Sequence, residues 1–210
     1  MKLYVWSTPN GEKPVLAAEE LELRYEIVPV DIGAGAQHEE AFGAKNLFRR
    51  IPVLEDGDLV LAESGAILVH LAEKHGALLA AEGEERAQAL RWLMFQVGHV
   101  GPMLGQAWHF MKVAPEKTPE PLGYATTRYA GEAKHVLSTL DARLAEAPFL
   151  AGDAYSIADV ATYPWAKMAG AFVNEGDLPH LKRWLDTIAA RPATQRLAEL
   201  DLKTPSTQRG

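Results

Sequence analysis

Two rhythms of apolar and polar positions run along this 210-residue chain, and the change from one to the other falls near residue 77. Before it, the apolar stretches are short and separated by turn residues. Leu3 to Trp6 reads as a buried strand, Ser7-Thr8-Pro9-Asn10-Gly11 as a turn, and Val15, Leu16, Ala17, Ala18 and Leu21 as one side of a helix. Tyr25 to Val30, β-branched and aromatic, predicts a second strand, which Gly33-Ala34-Gly35 ends before a short helix around Glu39 to Ala44. Val53–Leu54 and Leu59–Leu61 flank Asp56-Gly57, a two-residue hairpin signal, and an apolar helix follows from Ser64 to His75. The order is therefore βαβαββα. Parallel strands with crossover helices, closed by an antiparallel hairpin, predict a four-stranded mixed sheet covered by helices.

After Gly76 the strand signals stop, and residues 84–201 read as long helices divided at Gly101-Pro102, Pro115 to Pro121, Pro148 to Gly152, Gly176 to Pro179 and Pro192. The expected organisation is an α/β domain over 1–77 and an all-α helical bundle domain over 84–205, joined by a linker around 77–84. Ser156-Ile157-Ala158-Asp159 has capping-box spacing, in which the Ser hydroxyl takes an orphan amide and the Asp carboxylate reaches back.

Composition removes several function classes. The chain has no cysteine, which excludes disulfides, thiolate metal sites, a dithiol redox pair and a cysteine nucleophile, so any sulfur chemistry must use an imported thiol. Its seven histidines show no paired ligand spacing, so no metal is expected. The net charge of −7 argues against a nucleic-acid groove. No apolar run approaches the roughly 18 residues of a membrane span. The acidic residues from Glu12 onward leave no room for a secretory apolar region, so a cytoplasmic location is expected. The first 77 residues hold 7 Lys and Arg against 13 Asp and Glu, and three of those seven, Lys45, Arg49 and Arg50, cluster beside Ile51-Pro52. They read either as an ordinary solvated loop or as the basic flank of an anion site.

Three elements taken together, Ser7-Thr8-Pro9-Asn10, Ile51-Pro52 with Glu63-Ser64, and the Ser156 to Asp159 box, resemble the cytosolic glutathione transferase family over nearly the whole chain. The Thr-Pro-Asn element is most similar to the Nu-class and Ure2p-like group of bacteria and fungi. The resemblance implies a thioredoxin-like N-terminal domain with a cis proline at Pro52, whose preceding residue Ile51 pairs with the glutathione backbone. It implies that Glu63 and Ser64 hold the γ-glutamyl end, that Gln37 binds the tripeptide backbone, and that Arg50 or Arg49 meets the glycyl carboxylate. Thr8 and Asn10 would contact the sulfur, with Ser7 as rival hydroxyl donor. An electrophile pocket would lie among the aromatic and thioether residues from Gly98 to Lys112, including Trp108 and His109, with Arg128 reaching the sulfur side. A symmetric homodimer is implied as well.

The chemistry suits such a turn. A free thiol has a pKa of about 8.5, and hydroxyl and amide donors at a helix start favour its ionised form, each unit of lowering needing about 1.4 kcal/mol. The plainer reading is a turn whose Ser, Thr or Asn simply caps the helix. The expected activity is transfer of glutathione to a small electrophile or glutathione-dependent reduction of a disulfide, with glutathione as co-substrate and no metal. The alternative is a non-catalytic binding or regulatory relative that kept the fold.

Overall fold

A computed structural model describes residues 1–208. By compactness they form two units, one of residues 1–86 with 188–208 and one of 87–187. The expected limits, 1–77 and 84–205, follow chain order, whereas packing returns the segment from Ile188 to the sheet unit.

In the sheet unit, β1 (Lys2–Val5) leads into α1 (Pro9–Glu20), β2 (Tyr25–Pro29), a short α2 (Glu40–Gly43), the hairpin β3 (Val53–Asp56) and β4 (Leu59–Ala62), and α3 (Ser64–His75). Period-two alternation buries Leu3 and Val5 of β1 completely, and α1 and α3 add Val15, Leu16, Ile67, Leu68 and Leu71 to the core. Gly76 ends α3 in a left-handed conformation at φ 66°. The hairpin turns on Gly57 and Asp58, with Asp56 opposite Leu59 as the last strand pair, so Asp56 belongs to the strand rather than to the turn.

The sheet has five strands, not four. The order is β4-β3-β1-β2-β5, and β5 (Ser206–Gln208) pairs antiparallel with β2. The sequence conceals β5 because Ser-Thr-Gln is short and polar, and its partner supplies the strand register. At the end of α8 (Pro179–Ala189) the chain re-enters the sheet unit, and α9 (Pro192–Glu199) follows. Arg191 forms a two-pronged pair with Glu20 at 2.6 and 2.7 Å, and Arg196 reaches the carboxylate of Glu19 at 2.5 Å. These pairs hold the returning chain against α1.

The second unit is helical throughout its regular structure. α4 (Gly83–Phe95) runs into the unit, followed by α5 (Gly101–Trp108), α6 (Gly123–Glu146), α7 (Ile157–Ala166) and most of α8. The expected break at Gly101-Pro102 is not a break. A π turn over Gln96–Val100, closed by the Gly101 N–H on the Gln96 carbonyl, carries the chain past Pro102 without leaving the helical path. A second π turn, His109–Val113, follows α5. The predicted capping box at Ser156 is present in both directions and starts α7. The Asp159 carboxylate is fully buried and accepts from Leu150 N at 3.0 Å, Ser156 N at 3.0 Å, the Ser156 hydroxyl at 3.2 Å and Trp184 Nε1 at 2.9 Å. Burial pushes this carboxyl upward while those four donors pull it down.

Candidate glutathione site

Strand direction assembles the candidate site. β1 and β2 are parallel, and β3 is antiparallel to both β1 and β4, so the exits of β1, β2 and β4 and the entry to β3 share one end of the sheet. Open α/β sheets bind ligands at the carboxyl ends of their parallel strands. Tyr4 pairs with Val53, and Val53 with Ala62. One step further along both registers, Pro52 lies between the end of β1 and Glu63. Sequence-distant motifs are thereby brought to a single edge.

At the β1 exit, Gly11 permits the approach of α1, since a Cβ there would stand 2.2 Å from the Trp6 carbonyl oxygen. Thr8 is the N-cap: its hydroxyl oxygen accepts from Gly11 N at 3.1 Å and donates weakly to the Trp6 carbonyl at 3.4 Å. The capping role that the sequence allowed for this turn falls to Thr8. Pro9 takes the first helical position, where its missing N–H is harmless, Asn10 takes the second, and Ser7 is exposed.

The Ile51–Pro52 peptide is cis, as the family resemblance implied. Ile51 packs half-buried against Val30, Phe42 and Val53. The loop leading to it is stapled by Asn46, whose amide donates to the Arg50 carbonyl at 2.8 Å and whose oxygen accepts from Phe48 N at 3.0 Å. The three basic residues of this loop separate. Lys45 pairs with Glu55 and sits 4.9 Å above the Tyr4 ring. Arg49, at φ 52°, directs its guanidinium to the His38 and Glu39 carbonyls. The Arg50 side chain is left exposed. Tyr4 and Trp6, placed inside by the reading of Leu3 to Trp6 as a buried strand, are half-buried. The Tyr4 hydroxyl donates to Glu55 at 3.0 Å, and Lys203 lies over the Trp6 ring at 5.7 Å.

Glu63 occupies a sparsely populated conformation, φ 71° and ψ 114°, as it turns the chain from β4 into α3. Ser64 follows as the first helical residue, buried, with the unpartnered amides of a helix start around it. Gln37, in the short helical turn after β2, has a buried side-chain oxygen with no hydrogen-bond partner, while its nitrogen contacts the His38 ring at 3.2 Å. Lys13, which no sequence motif marked, is 2% exposed on α1 and donates to the Ser64 hydroxyl oxygen at 3.3 Å. Burial lowers its ammonium to about 7, partly countered by Glu63. The one available signal was its place inside the Gly11 to Ala18 stretch, where every other position but Glu12 is apolar or small.

In the helical unit, Trp108 ends α5 partly exposed, His109 opens the second π turn edge-on to Phe110, and Phe110 stacks on Tyr129 at 5.4 Å. Arg128 lies 3.8 Å from Glu132 and lines an open groove of about 610 Å³ along α6, with Tyr124, Thr127, Gly131 and His135. Trp108 and His109 do not line that groove. Among the described residues no group of three or more His, Asp or Glu side chains is placed to hold a metal ion, and no helix is long and apolar enough to cross a membrane.

A thioredoxin-like edge with a proline shelf, a serine at a helix start and a separate helical unit defines a class of thiol-binding proteins. Family models narrow it: residues 1–73 match the glutathione S-transferase N-terminal domain and residues 102–192 the C-terminal domain. The chain belongs to the glutathione S-transferase family. It is 42% identical over 200 residues to the disulfide-bond oxidoreductase YfcG of Escherichia coli (strain K12), with 91% of each chain covered. Among solved structures it resembles a glutathione transferase from Burkholderia graminis bound to two glutathione molecules per subunit. The TM-score is 0.88 at 37% identity, covering 94% of this chain and 87% of that one. It also resembles a glutathione transferase from Pseudomonas putida bound to one glutathione disulfide per subunit, at TM-score 0.88 and 34% identity, covering 95% and 90%.

Proposed function

We propose that this protein binds glutathione at the sheet edge formed by residues 1–77 and uses its thiolate to reduce disulfides, with conjugation to electrophiles as a companion activity. One observation carries the reading: a thiol-handling edge, complete with helix-start amides and a proline shelf, lies in a chain without a single cysteine. The reactive sulfur must arrive with the ligand. Ser64 and Glu63 take the γ-glutamyl end, Ile51 pairs with the ligand backbone beside Pro52, and Gln37 and Arg50 meet its other polar groups. Two features support these assignments: the unpartnered oxygen of Gln37 and the exposed guanidinium of Arg50.

The sulfur lies beside Ser7, Thr8 and Asn10. The Thr8 oxygen accepts from Gly11 N in capping α1, and its hydrogen, held only at 3.4 Å by the Trp6 carbonyl, can turn to the sulfur, so Thr8, Asn10 and the α1 start share the thiolate stabilisation. In disulfide reduction the thiolate attacks one sulfur of the substrate and expels the other as a thiolate. A second glutathione then resolves the mixed disulfide, so that two glutathiones become one glutathione disulfide and the substrate leaves as two thiols. The helical unit, through Trp108, His109 and Arg128, supplies the groups that meet the second substrate. The relative named as a disulfide-bond oxidoreductase supports reduction over conjugation.

A symmetric homodimer in the cytoplasm completes the proposal. Its support is the apolar surface of the sheet unit, where Leu47 is 92% and Phe48 71% exposed. Steady-state rates with 2-hydroxyethyl disulfide and with 1-chloro-2,4-dinitrobenzene, each at saturating glutathione, test the reaction. The disulfide is expected to turn over faster, and absence of disulfide turnover removes the reductase assignment.

A further inference from the structure

We propose that Lys13 is a positioning residue of the glutathione site, a buried cation behind Ser64 that fixes the serine hydroxyl as a donor to the ligand's γ-glutamyl carboxylate. This rests on the placement of that carboxylate at Ser64 given above. An ammonium only donates, so its contact with the Ser64 oxygen at 3.3 Å occupies a lone pair of that oxygen. The serine's single hydrogen is thereby turned away from Lys13. Ser64 opens α3, where the helix amides already favour an anion, and a hydroxyl pointing its hydrogen outward adds a further donor.

Lys13 is otherwise a costly choice. A 2% exposed ammonium is costly to bury. Charged groups stand on the elements around it. Glu63, from the start of α3, acts on it. At the other end of α1, Glu19 and Glu20 are taken by Arg196 and Arg191 of the returning segment. On β1, the Tyr4 hydroxyl is directed to Glu55. Glu12 is the remaining acidic group on the first turns of α1.

The ammonium sits at about 7 in the free protein, so near neutral pH it is only partly protonated. A carboxylate arriving at Ser64 favours the charged form, and binding should draw in a proton. The sign follows directly: a ligand-bound Lys13 has the higher pKa, so affinity is greatest below pH 7 and falls as pH rises through the bound value.

The test uses S-methylglutathione, which has no thiol proton to release, titrated calorimetrically into the whole protein near pH 7.5 in two buffers of different ionisation enthalpy. The wild type is expected to take up a fraction of a proton per site. Lys13→Met should lose that uptake and weaken binding about tenfold or more, the scale of one charge-assisted hydrogen bond, while melting at the same temperature or higher. Lys13→Arg, permanently charged, should recover affinity without the uptake. With glutathione as substrate, the effect of Lys13→Met should fall on KM rather than kcat.

Ser64→Ala serves as the reference. If Ser64→Ala loses affinity while Lys13→Met keeps both affinity and proton uptake, the role of Lys13 is overturned and the site stands. If the wild type binds no S-methylglutathione, the site assignment itself falls, and this role with it. Should Lys13→Met fail to fold, the wild-type titration decides, since binding without proton uptake overturns the proposal.

Discussion

Lys13 shows what a single side chain can cost and return. Its ammonium is lowered from 10.5 to about 7 by burial, so the unfolded chain holds a proton that the folded chain gives up between those values. Stability therefore rises with pH across that window and is lowest, for this group, below it. Lys13→Met should stabilise the protein at pH 7 by an amount on the order of a few kcal/mol, and the gain should fade as pH approaches 10.5. Urea melts of both proteins at several pH values check this, and a pH-independent difference would contradict it. Residues of this kind were the least legible in the sequence. The start of α3 at Ser64 could be read from local chemistry, and the cis Ile51–Pro52 from the family resemblance. The separation of Arg49 from Arg50 could not, because it depends on carbonyls at His38 and Glu39 that only the fold brings near.

At the scale of elements, the helix start at Ser156 was legible because capping obeys a fixed spacing. What the spacing does not reveal is how far the Asp159 carboxylate reaches: beyond its own cap it holds the Leu150 amide and the Trp184 indole. The two positions should therefore differ. Ser156→Ala removes a cap and is expected to cost about 0.5–2 kcal/mol, whereas Asp159→Ala strands several buried donors and should cost about 3 kcal/mol or more. Thermal unfolding of the pair decides it, and equal losses would reduce Asp159 to a cap. The π turn that carries α4 past Pro102 was illegible for a related reason. Gly-Pro reads as a break, and only the i to i−5 bond onto Gln96 keeps the path helical.

At the scale of the molecule, chain order and packing differ. Hydrophobic rhythm placed the change of architecture near residue 77, but rhythm cannot announce that the last segment returns to the sheet, because β5 is polar and the buried Ile188, Leu197 and Leu202 read as a continuation of the helical pattern before them. Glu19 is 3% exposed and answered by Arg196. Arg196→Ala leaves that carboxylate buried without its cation and is expected to cost about 2–4 kcal/mol, less if the carboxylate takes up a proton. Denaturant unfolding measures it, and a loss below about 0.5 kcal/mol would place the pair among ordinary surface pairs.

The claim on which the functional account depends is that an imported tripeptide thiol sits where β1 turns into α1. A crystal structure of the protein with oxidised glutathione tests it most directly. The account predicts a ligand sulfur beside the Thr8 to Asn10 turn, with the γ-glutamyl carboxylate on Ser64 and the ligand backbone along Ile51. A ligand bound elsewhere, or reversed so that its glycyl end meets Ser64, would contradict it.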